Sequence, residues 1–75
     1  MLDWVQYRNE LLGRIGEIGK LSPGTVAGYQ TLSNAGEKTG HLDAKTRELI
    51  ALAVAVTTRC DGCITVHADA ARKQG

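Results

Sequence analysis

The stretch from Asp43 to Cys60, DAKTRELIALAVAVTTRC, decides the fold. Asp43 is an N-cap residue standing before a run of good helix formers, so a helix is expected to start beside it. From Leu49 to Val56 that helix is apolar on every side, and a helix apolar all round is buried all round. A chain of 75 residues has little material with which to surround such a helix. The run therefore predicts an all-α fold whose central helix is covered partly by other copies of the chain.

The flanking segments read as helices too. C-terminal to the run, residues 61–73 alternate alanine with polar residues and end in Arg72-Lys73, cations on the negative end of a helix dipole. N-terminal to it, Ser22-Pro23 sets an N-cap hydroxyl before a proline at the first helical position, where its missing N–H is not needed. Val26, Tyr29, Leu32 and Ala35 then form one apolar stripe, with Gly36 or Gly40 as the stop. Residues 3–19 carry Val5, Leu11, Leu12, Ile15 and Ile18 at helical spacing. Gly13, Gly16 and Gly19 interrupt them, marking either a frayed helix end or a face that a second backbone approaches closely. There is no strand pattern, internal repeat or low-complexity segment.

Composition limits the function classes. Nine basic against eight acidic residues, mixed along the chain, leave a net charge of +1, which is no footprint for nucleic acid or an anionic membrane. One Trp, two Tyr and no Phe mean that burial rests on small aliphatic side chains. The start, MLDWVQYRNE, has neither the apolar run of a secretory signal nor that of a membrane anchor, so a cytoplasmic protein is the expectation. A single domain this small seldom reaches more than about 3–5 kcal/mol of net stability from its core, so a metal, a partner subunit or very good helix packing is expected to help.

The chemistry lies in Arg59–His67, RCDGCITVH, which holds both cysteines of the chain. In a reducing compartment a Cys-x-x-Cys pair is more often catalytic or metal-binding than a structural bridge, and closing so short a loop adds little stability. With a helix starting at Cys60 or Asp61, Cys63 sits in its first turn, where unpaired N–H groups and the dipole favour a thiolate. Positions i and i+3 also bring two cysteines within disulfide reach. His67 lies one turn beyond Cys63 and is able to exchange a proton with it, although a lone histidine is most often a surface residue. Glu48 stands immediately before the apolar run. An acid in the early turns of a helix is ordinary dipole compensation, and spacing alone leaves it unassigned.

Taken together, Glu48, then eleven residues, Cys60-x-x-Cys63, then three residues, His67, resembles the AhpD-like alkylhydroperoxidases of the carboxymuconolactone decarboxylase superfamily. Residues 42–75 look like the redox core of that group, and residues 1–41 like its helical lead-in. The resemblance implies one AhpD-like domain over residues 1–75, an all-helical bundle assembling as trimers or hexamers, with the cysteine pair at a helix start. It implies a thiol peroxidase or disulfide oxidoreductase, acting in antioxidant defence without haem, flavin or other cofactor. Cys63 would be the peroxidatic thiol, Cys60 the resolving thiol, and Glu48 with His67 the proton relay. The substrate would be a hydroperoxide or disulfide, and the reductant an external dithiol on a lipoyl- or thioredoxin-type protein. The decarboxylase branch generally lacks the cysteine pair. Best-known members carry a second histidine where this chain has Gly62, and relatives usually continue beyond the point matching Gly75, so a shortened domain is expected.

Two other readings use the same residues. Cys60, Cys63, His67 and Glu48 are a conceivable zinc set, although no second ligand pair follows and His41 is the only other histidine. A helical interaction module with non-catalytic cysteines is the third.

Overall fold

In the computed structural model, which describes residues 2–75, the chain forms four α-helices: α1 (Trp4–Leu21), α2 (Pro23–Asn34), α3 (Ala44–Thr58) and α4 (Asp61–Lys73). Met1 lies outside the described residues. A 3-10 segment, Ala35–Thr39, joins α2 to α3 and stops at Gly40, whose φ of 70° is the left-handed conformation that glycine adopts at little cost. Among the described residues there is no strand, and no helix is long and apolar enough to cross a membrane.

Local chemistry sets the helix ends. The Asp43 carboxylate accepts a hydrogen bond from the Thr46 N–H at 2.8 Å, capping α3 as the sequence predicts. That bond, helped by the Thr46 side chain and the nearby Arg47 and Lys45 charges, holds the Asp43 carboxyl below its ordinary range. Asp3 caps α1 in the same way through the Gln6 N–H. Ser22 precedes α2 as expected, but its hydroxyl bonds the Thr25 hydroxyl at 2.7 Å instead of a helix N–H. The fraying expected from the α1 glycines does not occur, since the helix runs through all of them to Leu21. A close neighbour exists at Gly19 alone, where a Cβ would lie 3.7 Å from a Val26 methyl; Gly13 and Gly16 face open space.

α3 and α4 pack most extensively, α1 lies against both α2 and α4, and the small core sits between α3 and α4. Ala55, 3% exposed, lies in it. Thr65 of α4, also 3% exposed, donates its hydroxyl proton to the Trp4 carbonyl at 3.1 Å, tying the start of α1 to the middle of α4. A second tie is Arg8 of α1, 3.7 Å from Asp69 of α4. Hydrogen bonds from Arg72 and Lys73, with the Arg8 charge, hold the Asp69 carboxyl below its ordinary range.

The α3 run is not buried all round within the chain: Leu49, Ile50, Val54 and Val56 are each about half exposed, and only Ala55 is fully covered. α4 is the helix that packs extensively on α3, and one neighbour covers only one side of a helix. The α2 stripe is barer still, with Leu32 at 76% exposure.

Candidate active site

The turn from α3 to α4 presents the cysteines. α3 ends at Arg59, the one non-glycine residue with positive φ (57°) among the described residues, and its N–H bonds back to the carbonyls of Ala55 and Val56. This reversal places Cys60 as the N-cap of α4 and Cys63 at the third helical position. The helix therefore starts at Asp61, within the expected limits. Cys60 and Cys63 are joined as a disulfide, with Cα atoms 5.3 Å apart. The free N–H of the first turn is used differently from expectation. The Cys63 N–H points to the Cys60 sulfur at 3.3 Å, so it is the N-cap sulfur that receives the helix-start hydrogen bond. Cys63 is exposed, and Cys60 is half-buried.

His67 lies one turn along α4, and its Nδ1 is 2.6 Å from the Glu48 carboxylate of α3. A carboxylate only accepts, so the ring proton on this side sits on Nδ1 and Nε2 is left as the acceptor. Both side chains are partly buried, at 23% and 30% exposure, where the bond is less weakened by solvent than at the surface. Glu48 thus faces the histidine across the α3–α4 contact.

His67 and both cysteines line a cavity of about 420 Å³. Its remaining walls are apolar: Leu11, Leu12 and Ile15 of α1, Val26 of α2 and Val66 of α4, with Tyr29 and Gln30 at its side. Glu48 is not among the lining residues. These apolar walls were legible in sequence only as helix stripes, which ordinarily signal core. Gly62, the position of the absent second histidine, also borders the cavity, and a Cβ there would come 3.1 Å from a Leu11 methyl. Its missing side chain lets α1 lie against the cysteine turn. Among the described residues no group of three or more His, Cys, Asp and Glu side chains is arranged to hold a metal ion, and the disulfide occupies both sulfurs of the zinc reading.

Residues 23–75 match the family model described as the carboxymuconolactone decarboxylase family. The chain is 51% identical over 69 residues to an uncharacterised protein of Haemophilus influenzae, covering 92% of this chain and 61% of that one. It is 36% identical over 61 residues to uncharacterised protein 4 of the cox locus in Paracoccus denitrificans, 81% of this chain and 55% of the relative. An uncharacterised protein of Cupriavidus necator is 34% identical over 58 residues, 77% and 51% of the two chains. The chain thus spans between 51% and 61% of the length of these relatives.

Proposed function

The chain belongs to the carboxymuconolactone decarboxylase family, and from that premise we propose that it is a thiol oxidoreductase of the AhpD-like kind, reducing hydroperoxides through Cys60 and Cys63. The observation that carries the reading is the closed Cys60–Cys63 disulfide at the start of α4, with His67 one turn away and held by Glu48. In the reduced protein the exposed Cys63 attacks as thiolate, its proton passing to Nε2 of His67. An S–O bond forms to the terminal oxygen of the hydroperoxide, the O–O bond breaks, and the alkoxide leaves with the proton from His67 as an alcohol. The Cys60 thiol then attacks the Cys63 sulfenic acid, forming the S–S bond and releasing water. An external dithiol supplies two electrons and two protons to reopen it, and a lipoyl- or thioredoxin-type protein has that chemistry. Glu48 acts as a positioning residue, keeping the ring turned and its tautomer set.

We also propose that the working form is a homo-oligomer. A compact monomer of 8.0 kDa exposes about 4,450 Å² by the usual size scaling. This chain exposes 5782 Å², and its radius of gyration is 13.2 Å where about 11.3 Å is usual for its length. The excess of roughly 1,300 Å² is more than the ~800 Å² that each partner contributes to a standard interface. It carries the half-exposed Leu49, Ile50, Val54 and Val56 of α3.

The first experiment is a count of free thiols in the reduced protein before and after one equivalent of an organic hydroperoxide at neutral pH. A fast fall from two to none is expected. Replacing Cys63 by Ser abolishes consumption, whereas Cys60→Ser consumes one equivalent and stops at the sulfenic acid. Two thiols persisting for many minutes rule the peroxidase reading out and leave disulfide exchange, metal binding and a structural role to be tested in that order.

A further inference from the structure

α1 lies outside the family-matched residues 23–75, yet it supplies three of the apolar side chains beside the disulfide: Leu11, Leu12 and Ile15. It is fastened there by contacts of its own. Trp4 accepts the Thr65 hydroxyl bond, Arg8 meets Asp69, and Leu11 lies over Gly62 at a distance that only a residue without a side chain leaves comfortable. The cavity so formed, about 420 Å³, is more than ten times the share of one water molecule in the liquid, about 30 Å³. Hydrogen peroxide is far too small to fill it. An unbranched chain of several carbons has the right size, and the lining offers such a chain aliphatic contact along its length.

We propose that α1 is the selectivity element of the site: Leu12 and Ile15, with Leu11 seated over Gly62, form the wall that holds the apolar chain of an organic hydroperoxide while its reacting oxygen meets Cys63. The proposal rests on the redox reading of the cysteine pair, and deepens it by assigning substrate choice to residues outside the stretch that the family model matches. Each methylene moved from water onto an apolar wall favours binding by up to about fourfold. Leu12 and Ile15 are partly exposed at 49% and 36%, so the gain per methylene is smaller here. A seven-carbon extension then amounts to at least tenfold. Both side chains line an open groove and not the core, so polar replacements change the wall without removing buried packing.

The test uses the reduced protein and two thiol-alkylating probes, N-methylmaleimide and N-octylmaleimide, each rate divided by that of the same probe with glutathione. This readout requires no peroxidase activity. The octyl probe is expected to be favoured at least tenfold in the parent protein, and that preference is expected to fall to about one in the Leu12→Ser, Ile15→Ser double variant. An Ile15→Trp variant, which narrows the groove, is expected to lose the preference as well. A parent ratio near one overturns the proposal, as does a ratio that the variants leave unchanged or rates that fall equally for both probes. A parallel arm follows thiol loss with hydrogen peroxide and with octyl hydroperoxide. Chain-length preference towards maleimides without thiol loss to either peroxide supports the α1 wall and removes the peroxidase reading; a preference in both arms supports the two together.

Discussion

His67 owes its orientation to one bond. Its Nδ1 is committed to Glu48 across the α3–α4 contact, leaving Nε2 as the proton acceptor on a side chain that lines the same cavity as the cysteines. Glu48→Gln keeps the shape and removes the charge. It is expected to slow peroxide-driven thiol loss by about tenfold, the lower end of what the orienting partner of a metal-bound histidine contributes, because the amide oxygen still accepts the Nδ1 proton. Thermal melting should stay close to that of the parent, and stopped-flow thiol kinetics beside a melting curve separate the two effects. An unchanged rate would return Glu48 to dipole compensation. Thr65 offers a structural contrast. Its buried hydroxyl gives the Trp4 carbonyl a bond in addition to that of the helix backbone, so Thr65→Val removes one interhelical hydrogen bond and should cost about 1 kcal/mol in urea unfolding.

Among the elements, the α3–α4 turn joins stability to function. Arg59 takes a left-handed conformation that costs a residue with a Cβ about 1 kcal/mol or more, and glycine is the usual occupant of such a helix end. Arg59→Gly is expected to raise unfolding stability by about 0.5–1 kcal/mol, after allowance for the greater freedom of glycine in the unfolded chain, as denaturant titration would read. The helix ends also carry a pH dependence. Asp43 and Asp69 both have carboxyl groups held below their ordinary range in the folded protein. A depressed carboxyl stabilises the fold at pH values above its unfolded pKa, near 3.9, and that contribution is lost as pH falls through the folded value. Acid titration followed by circular dichroism should show stability falling below about pH 4, with a shallower fall in Asp43→Asn and Asp69→Asn. An identical slope in parent and variants would remove these two carboxylates from the account.

For the whole molecule, surface is the informative quantity. The chain exposes more area than its mass requires, and much of it is aliphatic side chain on α1 and α3. Ile50 and Val54 stand one turn apart on α3 and are each about half exposed. Light scattering after size exclusion is expected to find an oligomer at micromolar concentration, and Ile50→Glu with Val54→Glu is expected to dissociate it. A parent protein that elutes and scatters as a monomer would refute self-association through this face.

Much of this protein is legible in residue order, because its signals are local. Asp43, Ser22-Pro23 and Gly40 mark helix ends through backbone groups within a few residues, and the Cys60–Cys63 spacing brings the two sulfurs together once α4 begins where its dipole and cap require. The family constellation follows the same logic, since Glu48, Cys60, Cys63 and His67 occupy two consecutive helices joined by a short turn. What packing decided depends on distances across the chain. Tertiary contact alone turned Glu48 onto His67 and brought α1 over Gly62 to wall the cavity. Packing also decided how much of the apolar α3 its own chain covers, because a hydrophobic pattern records which surfaces leave water and says nothing of whether the same molecule or another covers them.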